Sequence, residues 1–501
     1  MFINILTKLE KSKSFWFLLV ITLVFFFLRL PSLIEPNWYG DEGIYQVIGM
    51  AIDHGHMLYS GAWDNKPPLL YLTYALFGGD QFAVRFAALL TGLLSTWLFF
   101  FLARKLFTRR RASIVATVLF TVLFGIPLLE GNIANAENFM LLPIIGAGLI
   151  VVSKNRKHNV LALFAAGLLL GLAFLFKIVA VFDFAAFFLF LLFLNWPITK
   201  TKESKRLQWD IAKGKTCFQE ASLLILGFIL PLIVAICYFA VNNALPSFIQ
   251  ASFLGNVGYV GYGNTFFIPQ GLLILKTSLL AIFVLIVFLR KKHIDTSTQF
   301  VLLWTAFSVF NALFSQRPYT HYVLVFLPAF CLLVGLVFQQ KTKKKKIFTA
   351  LILLASLLIM LSNFKLYSFK KSFLYYQNAF LFITNQKDVT SYQSFFDGKT
   401  PRDYQIASFL TLHTRPYDPV FIWGDNSQIY ALSHTLPINK YTVAYHITQN
   451  KTGIKETQQA LDTVRPNYVI ILTESPNFPF TLRNYESKYS VPGATVYEKD
   501  F

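Results

Sequence analysis

The sequence predicts a polytopic α-helical membrane protein with a small C-terminal α/β domain. Hydrophobic residues make up 55% of the 501 residues, charged residues only 14%, and the mean hydropathy is +0.53. An ordinary soluble chain carries about 25% charged residues. The composition therefore excludes a cytosolic enzyme, a secreted domain and a nucleic-acid-binding protein, although a net charge of +20 would suggest nucleic acid in a soluble chain.

Apolar runs long enough to cross a bilayer recur along most of the chain. About 20 apolar residues span roughly 30 Å of hydrocarbon. The fourth run is short and the fifth and sixth nearly join at Lys177, which makes the predicted count 11 ± 2. The first run continues into Arg29 and Pro31 without a small-residue cleavage site, which favours a retained helix over a signal peptide. The candidates lie near 15–34, 81–103, 112–129, 138–152, 160–176, 178–196, 220–241, 269–289, 298–315, 320–338 and 347–364.

Basic residues lie in every second connection between these runs. More than half of the 45 Lys and Arg occupy these connections, whereas the loop 242–268 has no charged residue. Positive charge marks the cytoplasmic side, so we expect a cell (plasma or inner) membrane protein with a cytoplasmic N-terminus. The first loop, 35–80, the loop 242–268 and the tail would then lie outside. The basic residues are Lys8, Lys11, Lys13, Arg104, Lys105, Arg109–Arg111, Lys154, Arg156, Lys157, Lys200, Lys202, Lys205, Arg206, Lys213, Lys215, Arg290–Lys292, Lys341 and Lys343–Lys346.

The expected domain boundary follows the last apolar run. Residues 1–366 would form the transmembrane domain and residues 367–501 a soluble extracytoplasmic domain. The tail alternates strand-like with helix-like stretches, which predicts a small α/β domain with a parallel sheet. These stretches are Asp403–Leu412, Pro419–Trp423, Lys455–Val464 and Tyr468–Thr473.

The first outer loop holds the densest group of polar residues that could take part in a reaction. Asp41 and Glu42 are adjacent and follow Gly40, which permits a tight turn. Residues 42–54 predict a short amphipathic helix on the membrane surface, and Lys66 stands just before two prolines that open a second helix. Taken alone, these charges are also compatible with an ordinary solvated loop.

The order of several motifs resembles that of the GT-C membrane glycosyltransferases. The closest branch is the bacterial one similar to protein O-mannosyltransferases and to the aminoarabinose transferases of lipid A, of glycosyltransferase family 39 type. The resemblance covers nearly the whole chain, and no single motif decides it. It rests on Gly40–Tyr45 (GDEGIY), Lys66–Tyr71 (KPPLLY), Asn135–Asn138 (NAEN), Gly171–Lys177 (GLAFLFK), Arg317–Tyr322 (RPYTHY) with Leu327 and Pro328, Phe421–Asp425 (FIWGD) and Arg465–Ile470 (RPNYVI).

The resemblance implies an enzyme that moves a hexose, mannose-like or pentose-like sugar from a polyprenyl-phosphate donor to an acceptor hydroxyl outside the membrane. The acceptor would be a glycan, a lipid or a protein, and membrane lipids would surround the enzyme. By resemblance Asp41 is the general base. Glu42 would orient the acceptor or Asp41, and Glu137 would be a second carboxylate on the acceptor or the sugar.

The leaving group in such a reaction is a lipid phosphate, which needs cationic donors. Lys66, Lys177 and Arg317 all fall on the outer side of the predicted topology, and His321 and Tyr322 lie about one helical turn beyond Arg317. Alternatively, Lys177 is a snorkelling residue at a helix end and Arg317 a helix cap. The branch does not generally need a metal, so we predict no cofactor, while a divalent metal is left open.

The rival function is a transporter or flippase of a lipid-linked glycan, and a scaffold protein is a third alternative. A transporter should show internal repeats with interrupted helices, and the sequence shows no such repeat. Asp53, His54 and His56 are too few for a convincing metal site. Asp183 is costly inside the sixth run, and pairing with Lys177 would be one way to offset that cost.

Overall fold

Long apolar helices form the part of the chain that precedes residue 364. The computed structural model describes residues 13–500 except 154–159, 201–206, 258–270, 316, 318, 365, 367 and 368. The predicted loop 242–268 is therefore described only as far as residue 257. The basic residues Lys8, Lys11, Lys154, Arg156, Lys157, Lys202, Lys205 and Arg206 lie outside the described residues.

The helices of this part follow one another with short connections. Single turns of 3₁₀-helix lie at Leu30–Leu33, Pro127–Leu129, Ile178–Ala180 and Thr320–Val325, and a π-helical turn lies at Gln250–Leu254. Strands β1 (Ile198–Lys200) and β2 (Leu207–Trp209) form a small antiparallel pair. The helices are α1 (Lys13–Arg29), α2 (Gly40–Asp53), α3 (Pro68–Leu76), α4 (Gln81–Leu106), α5 (Arg110–Gly125), α6 (Ala136–Val151), α7 (Val160–Phe176), α8 (Val181–Leu194), α9 (Ile211–Val241), α10 (Leu245–Ile249), α11 (Gly255–Val257), α12 (Gly271–Arg290), α13 (Thr296–Phe314), α14 (Leu327–Gln339) and α15 (Lys343–Asn363).

Each of the eleven predicted apolar runs coincides with one of these helices, namely α1, α4 to α9 and α12 to α15. By length and composition, α1, α4, α9, α12, α13 and α15 are each able to cross a membrane. The other five have 13 to 17 residues. The polytopic α-helical class is therefore confirmed, while the number of spans stays a prediction.

The long helices differ in how much protein surrounds them. In the most apolar window of α13, 72% of the residues are buried, against 6% for α12 and 17% for α15. α13 therefore lies inside the bundle, and α12 and α15 present their Leu, Ile and Phe side chains outward, as lipid-facing helices do. Helices α7 and α9 approach closely at Gly167 and Gly227, where an added Cβ would lie 2.3 Å from the Leu224 carbonyl and 2.1 Å from the Phe164 carbonyl.

The C-terminal part contains a five-stranded sheet with helices around it. Its sheet order is β4-β3-β5-β7-β6, with β3 parallel to β4 and β5, and β7 antiparallel to β5 and β6. The elements are α16 (Phe369–Ile383), α17 (Val389–Ser394), α18 (Thr400–His413), β3 (Pro419–Trp423), α19 (Gln428–Ser433), β4 (Leu436–Pro437), α20 (Ala444–Gln449), α21 (Gly453–Val464), β5 (Tyr468–Leu472), β6 (Tyr485–Val491) and β7 (Ala494–Lys499).

The predicted α/β class of this domain is confirmed. The predicted parallel pairing holds for β3, β4 and β5, and it is wrong for β6 and β7, which are antiparallel. All four predicted stretches form the expected helix or strand. The error comes from the final hairpin, whose strand β6 is mostly exposed and polar and therefore lacks the apolar signature of a buried parallel strand. Its turn contains Gly493 at φ +92°, a conformation that favours glycine.

The C-terminal part packs directly on the loop 35–80. An apolar cluster joins Ile44 and Ile48 of α2 with Ile422 of β3 and Ile429 of α19. Backbone and side-chain hydrogen bonds reinforce it, among them Trp63 N–H to the Lys440 carbonyl at 2.8 Å. Helix α2, which carries Asp41 at its start, is therefore held between the membrane bundle and the C-terminal sheet. The predicted amphipathic surface helix over 42–54 is wrong in that respect, because residues 42–51 are buried on all sides.

Candidate functional site

Asp41 lies in the first turn of α2, where the helix dipole favours a negative charge. Its side chain is 36% exposed and accepts a hydrogen bond of 3.0 Å from the Tyr45 hydroxyl. The Lys66 ammonium lies 3.9 Å from Asp41 Oδ2. Asp41 is thus a carboxylate that is accessible from solvent and lies beside a cation.

Glu42 faces away from Asp41 into the protein, and its side chain is buried. It accepts two hydrogen bonds from the Arg85 guanidinium and one of 2.8 Å from the Ala134 backbone N–H. Arg85 also pairs with Glu35 at 3.0 Å. Glu42 therefore fixes the start of α2 against α4 and the loop before α6, which is an orienting position for its neighbour Asp41.

Glu35 is a central residue of this network that the sequence analysis missed. It accepts hydrogen bonds from Trp38 Nε1 at 2.9 Å, from Asn132 Nδ2 at 2.8 Å and from the Tyr375 hydroxyl of α16 at 2.5 Å. The one signal in the sequence was Arg85, a charged residue inside an apolar run. Such a residue requires a buried acidic partner.

Lys66 precedes α3 and lies among two carboxylates and an aromatic ring. Its ammonium is 3.5 Å from Asp64 Oδ2 and 4.8 Å from the centre of the Tyr45 ring. Burial acts to raise the pKa of Asp64, but the charge of Lys66, with further contributions from His446 and the Asn65 backbone, holds that pKa below its usual value. Asp64 is therefore an anion that keeps the ammonium beside Asp41.

A second polar centre forms around Glu137 in the first turn of α6. Glu137 is buried and forms an ion pair with Lys177, whose ammonium lies 4.0 Å from the centre of the Tyr322 ring. His321 Nε2 lies 4.0 Å from Glu137 Oε1. Four predicted site residues, Glu137, Lys177, His321 and Tyr322, are thus brought together.

Tyr39 and Glu130 extend this second centre toward the start of α2, and the sequence analysis missed both. The Tyr39 hydroxyl donates to Glu130 at 2.9 Å, and His321 Nδ1 lies 3.0 Å from the same Glu130 oxygen. Burial, with the charges of Glu130 and Asp41, raises the pKa of Tyr39 well above its usual value. Glu130 has a left-handed backbone with φ +58°, a strained conformation that is often found at functional sites.

Arg317 lies in the connection between α13 and the 3₁₀ turn Thr320–Val325 and is partly exposed. The expectation that it lies one helical turn from His321 and Tyr322 is wrong, because no helix joins the three residues and Arg317 precedes the turn that carries the other two. Tyr319 stacks on the His321 ring at 5.8 Å.

Two other expectations concern residues outside these centres. Asp183 does not pair with Lys177. It accepts a hydrogen bond of 2.7 Å from Trp304 Nε1, while Lys177 pairs with Glu137. His54 stacks on Tyr417 at 4.2 Å. Among the described residues, no group of three or more His, Cys, Asp or Glu side chains is placed to hold a metal ion.

Comparisons with known proteins agree in sequence and in fold. Residues 66–207 match the sequence model of the dolichyl-phosphate-mannose-protein mannosyltransferase family. No curated protein matches the sequence. The fold is similar to that of ArnT from Cupriavidus metallidurans bound to undecaprenyl phosphate, with 12% identity, coverage of 97% of this chain and 98% of that chain, and a TM-score of 0.55.

The apo structure of the same ArnT gives 14% identity, the same two coverages and a TM-score of 0.54. At identities this low, the comparison establishes the fold alone. The family match within residues 66–207 adds the segment that runs from Lys66 through Glu137 and Lys177. Together these findings confirm the resemblance inferred from the motifs: the fold is similar to that of ArnT, and residues 66–207 match the mannosyltransferase family model.

Proposed function

We propose that this protein is a glycosyltransferase that moves a monosaccharide from a polyprenyl-phosphate donor to an acceptor hydroxyl at the outer face of the membrane. The observation that carries the proposal is the contact of Asp41, an accessible carboxylate, with the Lys66 ammonium at 3.9 Å. A base for the acceptor and a cation for the leaving phosphate thus belong to one site, and in the proposed reaction the bound sugar separates them. The similar ArnT structure contains undecaprenyl phosphate, which supports a lipid phosphate as the carrier.

The proposed reaction needs one bond exchange at the anomeric carbon. The acceptor oxygen attacks that carbon, the bond from carbon to the phosphate oxygen breaks, and the polyprenyl phosphate leaves with the bonding electron pair. The proton of the acceptor hydroxyl passes to Asp41. The sugar passes through an oxocarbenium-like state, and attack opposite the leaving group inverts the anomeric configuration.

The cations divide into two groups by their partners. Lys66 is 22% exposed and shares its charge between Asp41 and Asp64, so it is available to a phosphate as well. Lys177 already neutralises the buried Glu137. We therefore propose that Lys66 and the partly exposed Arg317 bind the leaving phosphate. The residues that would line the part of the site that holds the sugar are Glu137, Lys177, His321 and Tyr322. Neutralising the developing negative charge is the larger electrostatic contribution in such reactions.

The transfer is tested by mass spectrometry of the products. Purified protein in liposomes receives undecaprenyl-phosphate-linked hexoses and pentoses one at a time, together with an extract of the host envelope. We expect release of unmodified undecaprenyl phosphate and an equal gain of one sugar on an acceptor, with both products reduced about 10²–10⁴-fold in Asp41→Asn. Movement of an intact donor across the bilayer without cleavage would instead support a flippase.

We further propose that residues 1–366 are the membrane domain, that the N-terminus is cytoplasmic, and that residues 367–501 lie outside. The support is the alternation of basic connections, since Lys341 and Lys343–Lys346 precede α15 and the C-terminal domain follows it. In a variant without the three native cysteines, an impermeant thiol reagent applied outside should label Ser391→Cys and leave Thr342→Cys unlabelled. Both positions are exposed, so labelling of Thr342→Cys alone would show that the orientation is the opposite of the proposed one.

A further inference from the structure

His446 is a buried residue of the C-terminal domain that faces the first outer loop. It lies on α20, and its side chain is 1% exposed. Nε2 lies 3.7 Å from Asp64 Oδ1, and the ring meets Trp63 edge-on at a centroid distance of 4.9 Å. Asp64, which faces His446, is the carboxylate that holds Lys66. Asp64 therefore lies between His446 and the lysine of the proposed phosphate site.

The partners of His446 determine where its proton lies. The Thr442 hydroxyl is 3.2 Å from Nδ1. Burial lowers the pKa of His446 to about 4, so that the imidazole is neutral near pH 7 and carries a single N–H. When the Thr442 hydroxyl donates to Nδ1, that N–H is on Nε2 and faces the Asp64 carboxylate.

Asp64 connects His446 to Lys66. One of its oxygens accepts a hydrogen bond of 2.7 Å from the Asn65 backbone N–H and faces His446, and the other lies 3.5 Å from the Lys66 ammonium. Asp64 Oδ2 and His446 Nε2 are both buried, and within the described structure neither has a hydrogen-bond partner. The His446 Nε2 group needs only a small shift to reach Asp64 Oδ1, which lies 3.7 Å away, while Asp64 Oδ2 faces the Lys66 ammonium.

We propose that His446 is a positioning residue of the donor site: it orients the Asp64 carboxylate, and Asp64 in turn holds the Lys66 ammonium in place to receive a lipid phosphate. The C-terminal domain is then part of the donor site and not only a cover over it. This inference rests on the proposed function, because it assumes that Lys66 binds a phosphate.

The expected effect of removing the Nε2 proton is on donor binding and not on the chemical step. Without this N–H, Asp64 directs its full charge toward Lys66, and the tighter ion pair competes with the phosphate for the ammonium. We expect His446→Leu to raise the dissociation constant for undecaprenyl phosphate and the donor KM about tenfold, the scale of one hydrogen bond to a charged group. The kcat at saturating donor should change by less than about twofold.

Three further variants separate positioning from packing. His446→Gln keeps an N–H near the Nε2 position and should restore donor affinity to near the wild-type value. His413→Leu alters an exposed histidine of the same domain, stacked on Phe409, and should leave affinity unchanged. In the pair Asp64→Asn with His446→Leu, the second change should add nothing, because the residue that it positions has already lost its charge.

The test measures undecaprenyl phosphate binding and turnover on the same preparations, with thermal unfolding as the check of folding. The inference is overturned if His446→Leu binds like wild type, if the Gln and Leu variants are equally impaired, or if the two losses in the double variant add. If His446→Leu does not fold, the comparison of His446→Gln and Thr442→Val with wild type decides: Thr442→Val must weaken donor binding and His446→Gln must not. Failure of wild type to bind undecaprenyl phosphate overturns the proposed function itself.

Discussion

The two carboxylate centres of this protein are built alike and yet differ in exposure. Asp41 and Glu137 each lie in the first turn of a helix and each pair with a lysine, Lys66 and Lys177 respectively. The Asp41 side chain is 36% exposed, whereas the Glu137 side chain is 2% exposed. A carboxylate that accepts a proton from an incoming hydroxyl must be reachable, so we expect the carboxylate–lysine pair to serve chemistry at Asp41 and mainly structure at Glu137.

The difference also has an energetic side. A solvent-exposed ion pair contributes about 0–1 kcal/mol to stability. Removing one partner of a buried pair costs about 3–5 kcal/mol, because it leaves the other charge buried and unpaired. The two centres should therefore respond in opposite ways to substitution: the Glu137 centre in stability, and the Asp41 centre in donor binding and turnover.

The largest expected effect on stability is that of Glu137→Leu. The change leaves the Lys177 ammonium, whose side chain is only 14% exposed, without its anion. We expect a loss of about 3–5 kcal/mol in the free energy of unfolding, against less than about 1 kcal/mol for Asp41→Leu. Thermal and denaturant unfolding of the purified variants in one detergent measures both, and equal losses would contradict the division between the centres.

The next effect is that of Lys66→Ala on the donor. Loss of a charge-assisted contact to the phosphate should weaken undecaprenyl phosphate binding by about 1.5–3 kcal/mol. Lys440→Ala is the matched control, since Lys440 pairs at 2.9 Å with Glu456 on the surface of the C-terminal domain. If Lys66→Ala binds undecaprenyl phosphate as wild type does, or if Lys440→Ala loses as much affinity, the phosphate does not bind at the Asp41 centre.

The smallest effect concerns pH and the contact between the domains. Burial lowers the pKa of His446 from 6.5 to about 4, so the unfolded chain binds this proton more readily than the folded protein does. Stability should therefore fall as the pH drops through 6.5 toward 4, and this group alone should cost about 2 kcal/mol between pH 7 and pH 5. Unfolding measured at both pH values should show a smaller loss of stability in His446→Gln than in wild type. Identical losses would refute the lowered pKa of His446.

The sequence was sufficient for those features that arise from local pattern. Hydropathy located the eleven helices that coincide with the predicted apolar runs. The alternation of strand-like with helix-like stretches located β3, β5, α18 and α21. A helix over 42–54 was also predicted, and the structure begins it earlier, at Gly40. The helix that begins at Pro68 follows from its two prolines.

The sequence was not sufficient for contacts between distant segments. Glu35 meets Tyr375, and Asp64 meets His446, only because the C-terminal domain folds back on the first outer loop. No local pattern specifies such a pairing. The failed pairing of Asp183 with Lys177 has the same origin, since Glu137 from another helix reaches that lysine and Trp304 reaches the aspartate.

The central claim is that Asp41 accepts the proton of the acceptor while cations hold the donor. The most direct test measures turnover and donor affinity on the same purified Asp41→Asn protein, with Glu42→Gln alongside. Asn keeps the shape of Asp and cannot take the proton, so we expect turnover to fall about 10²–10⁴-fold with donor affinity equal to or slightly above wild type. A folded Asp41→Asn protein that binds donor and turns over at the wild-type rate would contradict the account and transfer the role of base to Glu42 or Glu137.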